Sequence, residues 1–361
     1  MSELKRGRLQ SLLRVPQRPL PPIAVTPTRV VHSENKWRLL HYQRADAVGA
    51  ASSIGSTGLG ATPATERQMQ RGTPVLLVPS LINRHYVLDL TPGQSMVETM
   101  LARGHEVFII DWGTPNREDR WVSFDMVCDK IIGRALRLVA QHGDSGKAHL
   151  LGYCLGGTLA VIHAAARPER VATLTALAAP VSFHDEGLLS KWVRNDGFSV
   201  KALVDAMGLV PWQLMQPAFQ MLRPTLNLLK AVQVIDRAWD DEFLDSFFAV
   251  EHWGKDNVSL PGEFYRQYIE ALYGDNALIH DRFFLSEKPV NLSAITCPVH
   301  AITFEHDNIV PHRSASVLLE RVSSVVKKHT HQSGGHVGAV VSKKAATRLW
   351  PGVSEFWRTH D

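Results

Sequence analysis

Residues 148–166, AHLLGYCLGGTLAVIHAAA, decide how the rest of the chain is read. An apolar run ends at Gly152-Tyr153-Cys154-Leu155-Gly156, with Gly157 next, and a helix-forming run follows. The chain therefore turns from strand to helix at Cys154, in the G-x-S-x-G nucleophile-elbow pattern with cysteine in the serine position. A nucleophile lifted above a sheet needs a strained turn, and close strand–helix packing there tolerates only small neighbours. The helix that starts at Cys154 points its positive end at the sulfur, which favours thiolate. The same residues also fit a buried cysteine beside a glycine-rich turn, so the surrounding sequence has to separate the two readings.

Outward from this turn, strands and helices alternate from residue 74. PVLLVPS (74–80), HEVFIIDW (105–112) and RVATLTALAAP (170–180) read as strands, GQSMVETMLARG (93–104) and SFDMVCDKIIGRALRLVAQHG (123–143) as helices. Apolar runs separated by helices indicate a parallel sheet covered on both faces. With the elbow, they predict an α/β-hydrolase fold: a mostly parallel sheet flanked by helices. IAVTPTRVVH (23–32) and KWRLLHYQ (36–43) are two further strands, and the Gly-rich stretch 47–73 is a surface loop. Pro16, Pro19, Pro21 and Pro22 make residues 1–23 a poorly ordered arm. The alternation stops near Val181 and resumes at CPVHAITFEHD (297–307), with RSASVLLERV (313–322) as a helix and SVVKKHTHQ (324–332) as a strand after it. The intervening stretch is helical and aromatic, with Pro211, Pro217 and Pro224 chopping its helices short. The expected organisation is a core over 24–182 and 291–361, with 183–290 inserted as a helical cap above the C-terminal edge of the sheet.

The order of elements supplies the nucleophile's partners. In this fold the acid follows a later strand and the histidine follows the last one. Asp307 ends the strand 297–307, and His336 in HTHQSGGHVG lies 29 residues further on, room for one helix and one strand. Taken singly, Asp307 is an ordinary turn residue and His336 one of 17 histidines; three matches in order favour a Cys–His–Asp site. The oxyanion of such a site needs backbone donors, one from Leu155 and a second from the loop after strand 74–80, at Leu81 or Ile82. Asp111, ending its strand before Trp112-Gly113, fits a turn clamp or a functional group equally well. His306 and Asn308 read as loop caps, and Cys128 and Cys297 as packing residues.

The 361 residues are 45% hydrophobic and 20% charged, which excludes collagen-like, coiled-coil and disordered chains. The +4 formal charge is scattered without a basic block, so nucleic acid is not expected as a partner. Three cysteines do not make a disulfide framework, and the basic N-terminus lacks the apolar core of a signal peptide; the expected location is a reducing cytoplasm. His280, His312 and His331 lack metal-ligand spacing, and neither a P-loop nor a dinucleotide fingerprint is present, so no metal or cofactor is expected.

Several further segments make the resemblance specific: VPSLINRHYVLDLTPGQS (78–95), GHEVFIIDWGTPNREDR (104–120), LLGYCLGG (150–157), EHWGKDNVSLPGEF (251–264), ITCPVHAIT (295–303) with Asp307, and SGGHVG (333–338). The chain resembles a polyhydroxyalkanoate synthase, the short form that works as one of two subunits (class III or class IV). The resemblance implies that Cys154 carries the acyl chain, His336 is the base, and Asp307 orients it and activates the incoming hydroxyl. The implied substrate is a short-chain (R)-3-hydroxyacyl-CoA such as 3-hydroxybutyryl-CoA, with a growing polyester chain as product. The implied partners are a second synthase subunit and a second copy through the cap, at the surface of polyester granules. Leu155 stands where class III relatives usually have Gln, and Asn308 where His is common, which touches subclass and substrate range. A cysteine suits the chemistry, because exchanging one thioester for another is nearly neutral, whereas a serine oxyester would dissipate the driving force. A cysteine-dependent thioesterase or polyester depolymerase would use the same three residues, and a non-catalytic granule protein would need none of them.

Overall fold

The computed structural model describes residues 13–44, 71–195, 197–221 and 226–361. The Gly-rich loop expected over 47–73 falls almost wholly outside these residues, as do residues 1–12 of the arm and Leu222 and Pro224 of the intervening stretch. One sheet of eight strands organises the chain: β1 (Thr28–Glu34), β2 (Trp37–Tyr42), β3 (Val75–Val78), β4 (Val107–Asp111), β5 (Ala148–Tyr153), β6 (Val171–Leu177), β7 (Val299–Phe304) and β8 (Lys327–Gln332). Their spatial order is β1-β2-β4-β3-β5-β6-β7-β8. β1 and β2 are antiparallel to their neighbours and the rest run parallel.

Every residue of β3, β4, β5 and β7 is buried, because helices cover both faces. Neighbouring residues feed opposite cores: Leu76 and Leu150 pack on one side of the sheet, Leu77 and Leu151 on the other. The edge strand β8, KKHTHQ, alternates exposed and half-buried positions, and its lysines blunt the edge against pairing with other chains. The helix read over 93–104 is α1 (Met96–Ala102), capped by Ser95 Oγ accepting the Glu98 N–H at 3.0 Å. The helix read over 123–143 is a π-helix, Asp125–Ile132, running into α2 (Gly133–Ala140). The helix read over 313–322 is two short pieces, His312–Ser316 and Leu318–Arg321.

Between β6 and β7 the described chain is mostly helical, including Val200–Met207, Trp212–Met221 and Asp241–Lys255. Pro217 sits inside Trp212–Met221 rather than ending it, which corrects the expectation that prolines stop each helix here. A single proline removes one backbone N–H donor, and the helix runs on past that one lost bond. Phe183, Leu260, Phe264 and Tyr268 of this stretch join the same core cluster as Leu76 and Leu150.

The turn from β5 into α3 (Leu155–Ala166) is fixed by backbone contact. Cys154 has φ 56° and ψ −130°, a region that residues other than glycine rarely occupy. Its own N–H is held by the Leu177 carbonyl of β6 at 3.0 Å. A Cβ on Gly156 would stand 2.2 Å from the Val78 carbonyl oxygen and 2.4 Å from that of Pro79. One on Gly152 would stand 2.4 Å from the Gly157 Cα. Helix and strands are thus pressed together until no side chain fits, and this holds the strained cysteine in place.

Gly156→Ala should therefore destabilise the protein by about 1–3 kcal/mol or more, since the atoms it meets are backbone. Gly254→Ala, whose Cβ would meet nothing within 4 Å in the helix Asp241–Lys255, should stabilise it by about 0.5–1 kcal/mol. Urea unfolding of both variants checks the contrast, and a Gly156→Ala midpoint equal to wild type would show the contact to be yielding.

Candidate active site

Three chain segments converge at the C-terminal ends of β5, β7 and β8. Asp307 lies just past β7 and His336 just past β8. The in-register pair Phe304↔Gln332 starts their loops side by side, and the His306 N–H donates to the Gly334 carbonyl at 2.9 Å, zipping the loops together. Asp307 Oδ1 accepts the N–H groups of Ile309 and Val310 at 2.9 and 2.8 Å, which fixes the carboxylate. Its Oδ2 then meets His336 Nδ1 at 2.7 Å. The two side chains are 1% and 7% exposed, so this pair is shielded from water and salt.

The far side of the ring is where chemistry is possible. His336 Nε2 is buried and makes no hydrogen bond of good geometry, while half-buried Cys154 lies close enough to act on the ring electrostatically. Burial alone disfavours an imidazolium here. Interaction with Cys154 and Asp307 outweighs it and raises the His336 pKa to about 10. Tyr153, packed 5.2 Å from the ring, donates its hydroxyl to the His336 carbonyl at 3.3 Å and steadies the loop. A thiol, an imidazole and a carboxylate in this sequence are the parts of a nucleophile–base–orienter relay.

Leu155 is the first residue of α3, so its N–H belongs to the helix end that lacks intrahelical acceptors. Gly156 presses against Val78 and Pro79, and the Trp112 indole N–H donates to the Pro79 carbonyl at 3.0 Å, which anchors the loop carrying Leu81 and Ile82 beside the elbow. The Ile82 N–H is engaged by Ser80 Oγ at 3.3 Å. A cavity of about 300 Å³ opens over Cys154 and Leu155, with Ile82, Leu260, Met215 and Val310 in its walls. Three phenols, Tyr265, Tyr268 and Tyr273, also line it. Reading the sequence did not single them out, because their common face depends on a helix distortion that no local pattern announces.

The remaining candidates resolve into structural parts. Asp111 accepts the Gly113 N–H at 3.0 Å and is bonded by Arg38 Nε at 3.0 Å, with His85 at 3.2 Å. Burial works to raise its pKa, but His85 and Arg38 win and hold the carboxyl below the ordinary range. Gly113, at φ 71°, lies where a Cβ would strike the Lys36 carbonyl; Asp111 is a turn clamp. Cys128 is fully buried, which pushes its thiol pKa well up, and burial pushes Cys297 up to about 11. The His306 side chain is exposed, and His331 Nδ1 bonds the Thr303 hydroxyl at 2.9 Å. Among the described residues no group of three or more His, Cys, Asp or Glu could hold a metal ion.

The family model for the α/β hydrolase fold matches residues 73–341. The chain is 33% identical over 93% of its length to the poly(3-hydroxyalkanoate) polymerase subunit PhaC of Haloferax mediterranei, and spans 64% of that protein's length. It is 30% identical to the PhaC subunit of Allochromatium vinosum, over 92% of this chain and 88% of that one. Among solved structures, BpoC of Mycobacterium tuberculosis superposes with a TM-score of 0.50 at 15% identity, covering 80% of this chain and 93% of its own. At that identity the likeness concerns the fold alone.

The raised His336 pKa has a direct consequence for stability. An imidazolium favoured by folding contributes stability that is fully present below its unfolded value of about 6.5 and lost as pH rises through about 10. Wild type should therefore lose stability relative to His336→Gln between those two values, followed by urea unfolding at each pH. Parallel curves for the two proteins would show that the ring is not held as an imidazolium.

Proposed function

The chain belongs to the family of poly(3-hydroxyalkanoate) polymerase PhaC subunits, built on the α/β hydrolase fold, and on that premise we propose that it polymerises short-chain (R)-3-hydroxyacyl-CoA through a thioester on Cys154. The observation that carries this reading is the buried His336 Nε2, unpartnered beside Cys154 while Nδ1 is locked to Asp307 at 2.7 Å. His336 takes the thiol proton, and the sulfur attacks the thioester carbonyl of the substrate. The backbone N–H of Leu155 and one from Leu81, or from Ile82 once it leaves Ser80 Oγ, receive the oxyanion, which collapses to release CoA as its thiol with the proton His336 held. The 3-hydroxyl of the next acyl unit then gives its proton to His336 and attacks the Cys154 thioester. An ester bond forms, and the Cys154 sulfur leaves and recovers a proton. Asp307 keeps Nε2 aimed at the reacting atoms in both halves.

Water in this chamber would turn a transferase into a thioesterase. Residues 183–290 act as a cap that excludes it: Val193, Phe198, Leu203 and Met215 wall the chamber with apolar side chains. The cap has to move to admit a CoA ester and release polymer, and a second synthase subunit or a second copy of the chain governs that movement. No helix among the described residues is long and apolar enough to cross a membrane. The proposed location is the granule surface in the cytoplasm.

Incubation with 3-hydroxybutyryl-CoA tests the reading. Wild type should release CoA together with insoluble polyester, and Cys154→Ala should lower CoA release on the order of 10⁴–10⁶-fold while leaving the unfolding midpoint close to wild type. Free 3-hydroxybutyrate in place of polyester would make the protein a hydrolase, and acyl label on Cys128 or Cys297 would displace the nucleophile.

A further inference from the structure

The polymerase reading leaves unexplained why an apolar chamber carries three phenols. A buried hydroxyl without a partner costs about 1–3 kcal/mol, so each tyrosine facing the chamber needs a reason. Tyr265 and Tyr268 are three apart and share a face of ordinary helix. Tyr268 and Tyr273 are five apart, and in an α-helix they would point about 140° away from each other. The segment Tyr268–Gly274 is instead a π-helix, in which hydrogen bonds join residues five apart. That distortion brings Tyr273 round to Tyr268, with ring centroids 5.4 Å apart and planes at 88°.

The arrangement is held from outside. The Tyr268 ring is flanked by Phe183 and Phe264, and Tyr273 sits 5.0 Å from Phe183. His184 Nε2 bonds the carbonyls of Tyr273 and Gly274 at 3.0 and 2.9 Å, closing the end of the π-helix. The Phe183 N–H donates to Asn276 Oδ1 at 2.9 Å, tying the next turn to the chain after β6. The phenols are therefore fixed before any ligand enters. Both residues line the chamber together with Cys154 and Leu155. Each phenol carries one O–H donor and can also accept.

We propose that Tyr268 and Tyr273 form a fixed pair that recognises the hydroxyl of the acyl group and so selects 3-hydroxyacyl thioesters over unsubstituted ones. This rests on the acyl-transfer reading above and adds what that reading lacks, a source of substrate discrimination inside an apolar pocket. Apolar walls discriminate poorly between acyl groups of similar size, whereas a site built around a hydrogen bond leaves its own buried hydroxyl unpaired when the analogue lacks the group. An unsubstituted acyl chain entering this chamber would offer the phenols no partner. A 3-hydroxyacyl chain would accept a phenol O–H and offer its own in return.

The test is single-turnover acylation of Cys154 in the full chain, by 3-hydroxybutyryl-CoA and by butyryl-CoA, followed by intact-mass spectrometry. Wild type should favour the hydroxyacyl thioester by roughly 100-fold or more. Tyr268→Phe and Tyr273→Phe, which remove only an oxygen, should each reduce that ratio at least tenfold. Equal acylation rates in wild type would overturn the proposal without any variant, and so would variants in which both rates fall by the same factor. Acylation by neither thioester would overturn the polymerase reading, and this proposal with it.

Discussion

The contact between glycine backbones where β5 turns into α3 is the constraint on which the other features of the site depend. Because Gly156 lies directly against the Val78 and Pro79 carbonyls, α3 can approach the end of β3 more closely than any side chain would permit. Cys154 is thereby held at φ 56°, with its N–H tethered to β6. The same closeness brings the Leu155 N–H and the loop after β3 to the turn that carries Cys154. Relaxing the turn would move Cys154, the Leu155 N–H and the chamber wall together. A few glycines therefore control more of the site than any of the charged residues.

Two buried carboxylates at strand ends show how partners rather than burial decide a role. Asp111 is surrounded by Arg38, His85 and the Gly113 N–H, which use its oxygens for holding a turn. Asp307 has one oxygen committed to two backbone amides and the other to an imidazole. The backbone amides hold one Asp307 oxygen rigidly and leave the other to meet His336. One carboxylate is a structural rivet and the other an aiming device.

Most of the sheet was legible in the sequence, since burial on both faces leaves near-continuous runs such as VLLV and VFIID that little else produces. Cys154, Asp307 and His336 were picked out for a different reason, a fixed order of elements with each at a strand end; of these contacts the structure shows the Asp307–His336 hydrogen bond. What escaped depends on non-local information. Asp111 was ambiguous because its partner Arg38 lies on the neighbouring strand and far away in sequence. Tyr268 and Tyr273 escaped notice because nothing in FYRQYIEALYG marks the switch to five-residue spacing. Pro217 looked like a stop because a proline lacks the donor a helix needs, yet the helix loses only that one bond and continues.

The size of the chamber imposes a rule on anything made there. At about 300 Å³ it is at the small end of the range for ligand pockets, which hold one modest molecule. On the proposed polymerase reading a polyester tail could not be stored in such a space, so every unit joined would have to displace its predecessor outward before the next thioester enters. The room over Cys154 then serves as a turnstile rather than a reservoir. Product length would be governed by how readily the emerging tail is drawn away from the doorway, a property of the surroundings that no residue inside the room can set.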